Sequence, residues 1–199
     1  LGAETIFISS LGDDSLGDIL FSNLKKYKVC TDYIKREKNC PSGVALISVD
    51  KNGWNNICVV PCANGKLSPK DIRDRKSAFE NADMLILQLE IPDETIKETV
   101  MLAYDKQIPI ILNPAPARHI EPEVYKRITY ITPNEFEAAL YVGRENPTKE
   151  TIALGARFFL ESGVPHVIVT RGELGSYYYS KELTYRVKSP KVTAIDSTG

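Results

Sequence analysis

Apolar runs alternate with helix-like stretches from about Lys66 onward, and this alternation constrains the fold more than any other feature. Short apolar runs at 84–89 and 109–112 are separated by stretches whose apolar residues have helical spacing. Apolar strands that alternate with amphipathic helices predict a parallel sheet covered on both faces. We therefore expect an α/β fold with a mainly parallel sheet.

The same patterns predict the bounds of individual elements. We expect strands at 5–8, 84–89, 109–112, 130–132, 166–170 and 176–179. We expect helices after Pro92, at 133–141 and at 149–161, and the last should end at Gly163, because glycine is common just beyond a helix end. The residues expected on one face of the first of these helices are Ile96, Val100, Ala103 and Tyr104.

The segment from about Val29 to Ala63 has a different pattern. Two apolar runs, 42–49 and 56–60, flank Asn52-Gly53 without a helical pattern between them, which is a strong hairpin signal. We expect one α/β domain over residues 1–199, with a small antiparallel sheet inserted at 29–63. Such a sheet cannot bury both of its faces alone, so it should cover the parent domain, a ligand or a second subunit.

Composition excludes several classes of protein. The 199 residues carry a net charge of −1, from 25 basic and 26 acidic residues, which argues against a binder of duplex nucleic acid. No signal segment opens the chain and no apolar run could cross a bilayer, so we expect a cytoplasmic protein without membrane contact. The four cysteines are too sparse for a disulfide framework, and we expect reduced thiols. Both ends are expected to be cuts inside a longer protein.

The segment 132–137 carries the first candidate site. Thr132 as N-cap with Glu135 three helical positions later would form a capping box, and Pro133 suits the first helical position. That capping box does not account for Asn134 and Glu137, which would share a face beyond the carboxyl end of a strand. An amide and a carboxylate suit hydrated Mg²⁺ and phosphate oxygens, so a simple helix start and a metal–phosphate site both remain open.

Other segments also follow predicted strands. Glu90 is either solvated or accepts hydrogen bonds from ligand hydroxyls. Asn-Pro-Ala-Pro-Ala at 113–117 reads as a rigid turn. The loop 170–175 contains two glycines that permit close backbone approach, although a turn would explain them too. Within it, Arg171 could contact a phosphate or be solvated.

Two further segments read as helix starts. In the Gly-Asp-Asp-Ser-Leu-Gly segment at 12–17, Asp14 or Ser15 is expected to cap the following helix and to do no more. The small residues at 196–199 would expose helix N–H groups that can hold an anion.

In this order, the segments 113–117, 132–137, 170–175 and 192–199 resemble the ribokinase branch of the pfkB carbohydrate kinase family. The resemblance covers essentially the whole chain. It implies a ribokinase-like three-layer α/β/α sandwich with a β lid that closes over the sugar and can supply a homodimer contact. It also implies ATP, Mg²⁺ and K⁺ as cofactors and ribose as substrate.

The resemblance also assigns roles to residues. Glu90 would contact the sugar, and Asn134 with Glu137 would organise Mg²⁺ and the phosphates. Asp196 and Thr198 would hold K⁺, and Gly199 would open the anion hole for the transferring phosphoryl group. The residues expected along the nucleotide are Asn134, Thr170, Arg171, Gly172, Glu173, Leu174 and Gly175. The catalytic base would be the Asp of an Ala-Gly-Asp segment beyond Gly199.

The expected reaction is ATP-dependent phosphorylation of ribose at its primary hydroxyl by the longer protein, with the isolated chain inactive. One alternative is a kinase of another sugar or of a nucleoside on the same fold. Another is a non-catalytic ligand-binding or dimerisation scaffold. A nicotinamide-dependent dehydrogenase is disfavoured because the chain has no G-x-G-x-x-G fingerprint, and no P-loop is present either.

Overall fold

The structure, a computed structural model, describes residues 2–50 and 55–191. The chain divides into two compact units. The first comprises Leu1–Ala82 and Glu90–Leu102, and the second comprises Asp83–Leu89 and Ala103–Gly199.

The first unit contains two small strand pairs. Its elements are β1 (Ser9–Gly12), α1 (Ser15–Lys26), β2 (Ile34–Glu37), β3 (Val44–Val49), β4 (Asn55–Val60), α2 (Pro69–Asp74) and most of α3 (Asp93–Asp105). Strand β1 pairs in parallel with β2, and β3 pairs antiparallel with β4. Helix α2 begins with a capping box, in which Ser68 is the N-cap and Asp71 is its partner.

The second unit is built around one six-stranded sheet. Its elements are β5 (Leu85–Leu87), β6 (Ile110–Leu112), α4 (Pro122–Tyr125), β7 (Tyr130–Ile131), α5 (Glu135–Leu140), α6 (Lys149–Glu161), β8 (His166–Thr170), β9 (Ser176–Tyr179) and β10 (Thr184–Val187). The strand order is β10-β9-β8-β7-β6-β5. Strands β5 to β8 are parallel, whereas β9 and β10 run antiparallel to their neighbours.

The two faces of this sheet differ in composition. Register places Leu112, Ile131 and Val167 side by side on one face, where all three are fully buried. Helix α6 packs on β8, and α5 packs on α6. The other face carries a row of stacked rings that crosses four strands, formed by Tyr130, His166, Tyr178 and Tyr185. Within that row, Nδ1 of His166 lies within hydrogen-bond distance of the Tyr178 hydroxyl, at 2.7 Å.

Elements with strong local signals lie where the sequence predicts them. The bounds of α6, β8 and β9 match the prediction, and Gly163 follows α6 with a φ of 109°. The strands expected at 84–89, 109–112 and 130–132 are each shorter in the structure. Helix α3 buries three of its four expected residues, but Tyr104 is 51% exposed and does not belong to the buried face.

Two predictions about the first unit were wrong. The strand expected at 5–8 is reduced to one bridge between Ile6 and Cys30, and the regular ladder with β2 begins only at Ser9. The antiparallel pair is also narrower than 29–63, because β2 pairs in parallel with β1 and only β3 and β4 form the hairpin-like pair. The predicted turn Asn52-Gly53 lies outside the described residues, and the single-domain division stays a prediction.

The cysteines and the helices complete this description. All four cysteines lie in the described part of the chain and carry free thiols. Among the helices of residues 2–50 and 55–191, none has the length and apolar character needed to cross a membrane.

Candidate functional site

The carboxyl ends of β7 and β8 bring two predicted site residues together. Beyond β7 the chain stays extended, because the Thr132 amide donates to the Leu112 carbonyl at 2.9 Å. The Thr170 amide then donates to the Pro133 carbonyl at 3.0 Å, and an isolated parallel bridge joins Asn134 to Thr170. The exposed Asn134 and Thr170 therefore lie side by side at the edge of the sheet where ligands bind in open α/β folds.

The capping box at this edge differs from the one the sequence predicts. The N-cap of α5 is Asn134, whose Oδ1 accepts a hydrogen bond from the Glu137 amide at 2.8 Å. Oε2 of Glu137 accepts a hydrogen bond from the Asn134 amide, also at 2.8 Å. The prediction that Thr132 and Glu135 form the box was wrong, because the sheet holds Thr132 and Pro133 extended. Capping therefore uses Oδ1, the one side-chain oxygen of Asn134, and Oε2, one of the two carboxylate oxygens of Glu137.

The environment of Glu137 is unfavourable for its charge. Burial raises the pKa of the Glu137 carboxyl, and the hydrogen bond from the Asn134 amide offsets this only in part. The capping box uses Oε2 of Glu137, and among the described residues Oε1 has no hydrogen-bond partner. A half-buried carboxylate with one oxygen to spare, beside a side-chain amide, suits a hydrated divalent cation or a metal-bound phosphate.

The loop after β8 turns sharply at two glycines. Gly172 and Gly175 have φ values of 47° and 85°, so both have the positive φ that glycine permits. A Cβ on Gly175 would lie 2.1 Å from the Val187 carbonyl oxygen, whereas a Cβ on Gly172 would have no atom of residues 2–50 or 55–191 within 4 Å. The close approach at Gly175 is therefore made by the chain itself, whereas the part of the chain that the structure describes leaves space open above Gly172.

Arg171 is neither solvated nor free for a ligand in this structure. Its Nε donates to Oε2 of Glu135 at 2.8 Å, and its guanidinium lies 5.6 Å from the centre of the Tyr177 ring. The hydrogen bond to Glu135 raises the pKa of Arg171. This ion pair joins the loop after β8 to Glu135, the first residue of α5; Asn134 is the N-cap of that helix and Glu137 lies in its first turn.

A second arginine supports the same loop, and sequence reasoning missed it. Arg186 of β10 donates through Nε and Nη2 to the Leu174 carbonyl at 3.0 and 2.8 Å. Its guanidinium lies 5.7 Å from the centre of the Tyr177 ring. The only sequence signal was its position in a strand-like run, because the contact depends on the register between β9 and β10.

The remaining predicted residues are distributed elsewhere. Glu90, in the first unit, is exposed and directly follows Leu89. The 113–117 segment acts as an ordered turn, since the Asn113 amide donates to the Leu87 carbonyl and the Leu89 amide donates to the Ala115 carbonyl. Asp196, Thr198 and Gly199 lie outside the described residues. Within the described residues, no group of three or more His, Cys, Asp or Glu side chains could hold a metal ion by itself.

We expect Arg171 and Glu135 to be energetically coupled. Their side chains are only 11% and 23% exposed, so removing one partner leaves the other poorly solvated. A double-mutant cycle with R171A and E135A should give a coupling of roughly 0.5–3 kcal/mol in urea unfolding. The exposed pair Arg157–Glu161 is a matched control, with an N–O distance of 2.7 Å and 73% and 65% exposure. Its coupling should stay below roughly 0.5 kcal/mol, and equal couplings for the two pairs would contradict the expectation.

Comparison with known proteins places this geometry in context. The sequence profile described as pfkB family carbohydrate kinase matches residues 1–199. The ribokinase of Staphylococcus aureus (strain COL) is 34% identical over 196 residues, which cover 98% of this chain and 64% of the relative. The deoxyribokinase of Salmonella typhi is 30% identical over 200 residues, which cover all of this chain and 65% of that enzyme. The chain thus spans slightly less than two thirds of the length of these relatives.

The fold has close counterparts among solved structures. The structure of Arabidopsis thaliana ribokinase complexed with ribose and ATP superposes with a TM-score of 0.88 at 28% identity. The match covers 98% of this chain and 65% of that one. The fold class predicted from the sequence is therefore confirmed.

Proposed function

Because the chain belongs to the pfkB family of carbohydrate kinases, we propose that the whole protein transfers a phosphoryl group from ATP to the primary hydroxyl of ribose. The observation that carries this proposal is the edge formed by Asn134, Glu137 and Thr170, beside a loop with open space above Gly172. Relatives named ribokinase support ribose as the acceptor.

The nucleotide side is assigned to the second unit. Asn134 and Glu137 would hold Mg²⁺ and phosphate oxygens through their remaining polar atoms, and Mg²⁺ would neutralise charge on the transferring group. The loop Thr170 to Gly175 would follow the nucleotide. In this assignment Arg171 and Arg186 act mainly by holding that loop in place, because both guanidinium groups already bind protein oxygens.

The acceptor side is assigned to Glu90 and to the pair β3 and β4, here called the β3–β4 arm. The arm has two faces by register, and both carry exposed apolar residues. One face contains Leu46 opposite Cys58, and the other contains Ile47 opposite Ile57. A two-stranded ribbon with apolar residues on both faces fits a lid that covers the sugar with one face and contacts a second subunit with the other.

The two faces of the arm should respond differently to charge. We expect Leu46→Asp and Ile47→Asp to separate two effects, because these neighbours point to opposite faces and are 61% and 45% exposed. One variant should weaken the homodimer about tenfold or more in light scattering. The other should leave the dimer intact and raise the sugar KM. Ser22→Asp on α1 is the control, and identical behaviour of the two arm variants would contradict the assignment.

The proposed chemistry needs residues outside the described part of the chain. Asp196 and Thr198 are assigned to K⁺ and Gly199 to the anion hole, and an Asp beyond Gly199 is assigned as the base that takes the proton from the sugar hydroxyl. The sugar oxygen would then attack the γ-phosphorus in line, and helix-start amides would stabilise the developing charge.

A second acceptor, 2-deoxyribose, is favoured by the 30% identity with a deoxyribokinase. The two sugars differ by one hydroxyl. A site built to hydrogen-bond that hydroxyl rejects the analogue that lacks it, so the ratio of kcat/KM for ribose and 2-deoxyribose decides between the two proposals.

The test is sugar-dependent ADP release by the protein encoded in the complete reading frame, with and without K⁺, alongside the isolated 199-residue chain. The proposal expects ribose-dependent release by the whole protein and none above background by the isolated chain. If the whole protein turns over no sugar or nucleoside, the kinase proposal fails, and a binding or dimerisation scaffold becomes the better interpretation.

A further inference from the structure

The Gly-Asp-Asp-Ser-Leu-Gly segment forms far more than a helix start. Asp14 caps α1, and its Oδ1 accepts a hydrogen bond from the Gly17 amide at 2.7 Å. The same carboxylate binds Ser42, whose amide donates to Oδ2 and whose hydroxyl donates to Oδ1, both at 2.8 Å. One carboxylate therefore joins the start of α1 to a residue 28 positions away in sequence.

Ser42 is fully buried and completes this cluster. Its hydroxyl oxygen accepts a hydrogen bond from the Gly12 amide at 3.0 Å while it donates to Asp14. The backbones approach too closely for side chains, since a Cβ on Gly12 would lie 2.3 Å from the Ser42 amide nitrogen. A Cβ on Gly17 would lie 2.9 Å from the Ser42 hydroxyl oxygen. We name Gly12, Asp14, Gly17 and Ser42 the arm clasp.

The clasp lies at the root of the β3–β4 arm. Ser42 precedes the first residue of β3 by two positions, so the clasp fixes the point from which the arm leaves the unit. The chain that leaves β4 is held near this root too, because the amide of Ala63, three residues beyond the end of β4, donates to the Pro41 carbonyl at 3.0 Å and Ala63 is fully buried. Beyond this root the arm is exposed, and Leu46 and Ile47 have large accessible surfaces.

The charge of Asp14 matches this role. Hydrogen bonds from the Ser42 and Gly17 amides and from the Ser42 hydroxyl hold the pKa of the Asp14 carboxyl below its usual value. A carboxylate accepts from all three donors at once, whereas a neutral hydroxyl or amide side chain cannot. Capping of α1 needs only Oδ1 of Asp14, which accepts from the Gly17 amide, whereas Oδ2 accepts from the Ser42 amide at the root of the arm.

We propose that Asp14 is a positioning residue, which acts through Ser42 to fix the root of the β3–β4 arm and thereby the placement of the arm over the acceptor sugar. This inference rests on the proposed function, in which the arm covers the sugar. It goes beyond that function because it assigns a role to residues that contact neither substrate in the proposed site.

The decisive variants separate the helix cap from the clasp. Serine is a good N-cap, so D14S should keep the hydrogen bond from the Gly17 amide. It should lose the pair of hydrogen bonds that the two carboxylate oxygens accept from Ser42. S42A keeps Asp14 and its cap but removes the hydroxyl between Gly12 and Asp14. The matched controls are D13S, which removes an exposed neighbouring carboxylate, and S15A, which removes an exposed hydroxyl. Thermal melts of all four variants report whether the fold is retained.

The first readout requires no ligand. The only tryptophan, Trp54, lies between β3 and β4 in sequence, and its time-resolved fluorescence anisotropy reports segmental motion of the arm. D14S and S42A should show a larger fast depolarisation than wild type, D13S and S15A. If D14S and D13S give the same decay, the clasp does not anchor the arm and the inference is overturned, whether or not the protein is a kinase.

The second readout uses the whole protein. Misplacing the arm should raise the sugar KM about ten- to a hundredfold in D14S and S42A, with the ATP KM within about twofold of wild type. Equal sugar KM values for D14S and D13S would overturn the positioning role. Absence of sugar turnover in wild type would contradict the proposed function. The anchoring of the arm would then be decided by the anisotropy of D14S and D13S alone.

Discussion

Glu137→Gln is expected to remove most phosphotransfer activity without lowering the stability of the fold. Glutamine retains an oxygen that can accept from the Asn134 amide, so the capping box survives. It removes a charge that burial disfavours, and it removes the proposed ligand of hydrated Mg²⁺. We expect kcat to fall by roughly 10–100-fold or more in the whole protein, by analogy with the loss of groups that orient metal ligands.

The stability side of this prediction has a definite pH dependence. Since the folded-state pKa of Glu137 is raised, its ionised form is less stable in the fold than in the unfolded chain. At neutral pH, E137Q should therefore melt no lower than wild type. As pH falls through the raised pKa, wild-type Glu137 becomes protonated and any advantage of the variant should disappear.

Glu145→Gln provides the matched control, because Glu145 is exposed and lies beyond the end of α5. Its melting temperature and kcat should equal those of wild type. A clear loss of stability in E137Q at neutral pH would show that the carboxylate is structural, and the assignment to Mg²⁺ would have to be withdrawn.

Gly155→Ala should destabilise the second unit, although alanine favours helices by about 1 kcal/mol over glycine. Gly155 is a buried residue in the middle of α6, and a Cβ there would lie 2.1 Å from the Ala138 carbonyl oxygen of α5. The neighbour is backbone and cannot move aside as a flexible side chain can. The net cost should be roughly 1–3 kcal/mol or more, which lowers Tm by about 2–4 °C per kcal/mol in a chain of this size.

The same substitution should disturb the proposed nucleotide edge, because α5 begins directly after Asn134. Gly65→Ala is the control, since among the described residues a Cβ on Gly65 would meet the Pro61 Cβ alone, at an ordinary contact distance of 3.7 Å. Its Tm should be unchanged or slightly higher. A rise in the Tm of G155A would show that α5 and α6 can separate without cost, contrary to the close packing described above.

Local signals predicted the elements of the second unit well, whereas in the first unit they missed the pairing of β1 with β2. Helix α6 has apolar residues at helical spacing and a glycine at its end, and β8 and β9 are compact apolar runs, so each pattern leaves few alternatives. The strand at 5–8 failed because strand formation requires a partner. The partner β2, with the sequence Ile-Lys-Arg-Glu, pairs with Ser9–Gly12 instead and lacks the composition of a strand.

The candidate site shows the same limit at the scale of single residues. Two overlapping capping boxes are possible here, one from Thr132 to Glu135 and one from Asn134 to Glu137. The backbone hydrogen bonds from Thr132 to Leu112 and from Thr170 to Pro133 keep 132–133 extended, and this selects the box at Asn134. Glu135 and Arg171 are 36 positions apart, and no local pattern predicts their contact. The residues at the ends of the strands were identified from sequence, whereas the contacts that hold them depend on the register of the sheet.

The strand order of the second unit has a consequence for how the chain folds. Because β5, β6, β7, β8, β9 and β10 are neighbours in the same order in which they occur in sequence, each strand joins an edge that earlier residues have already formed. Pairing each strand with the next one in sequence gives the shortest loops that a parallel sheet with helical crossovers allows, so closing each loop costs less entropy than a more distant pairing would. The sheet can therefore grow strand by strand as the chain leaves the ribosome, without waiting for a distant segment to arrive.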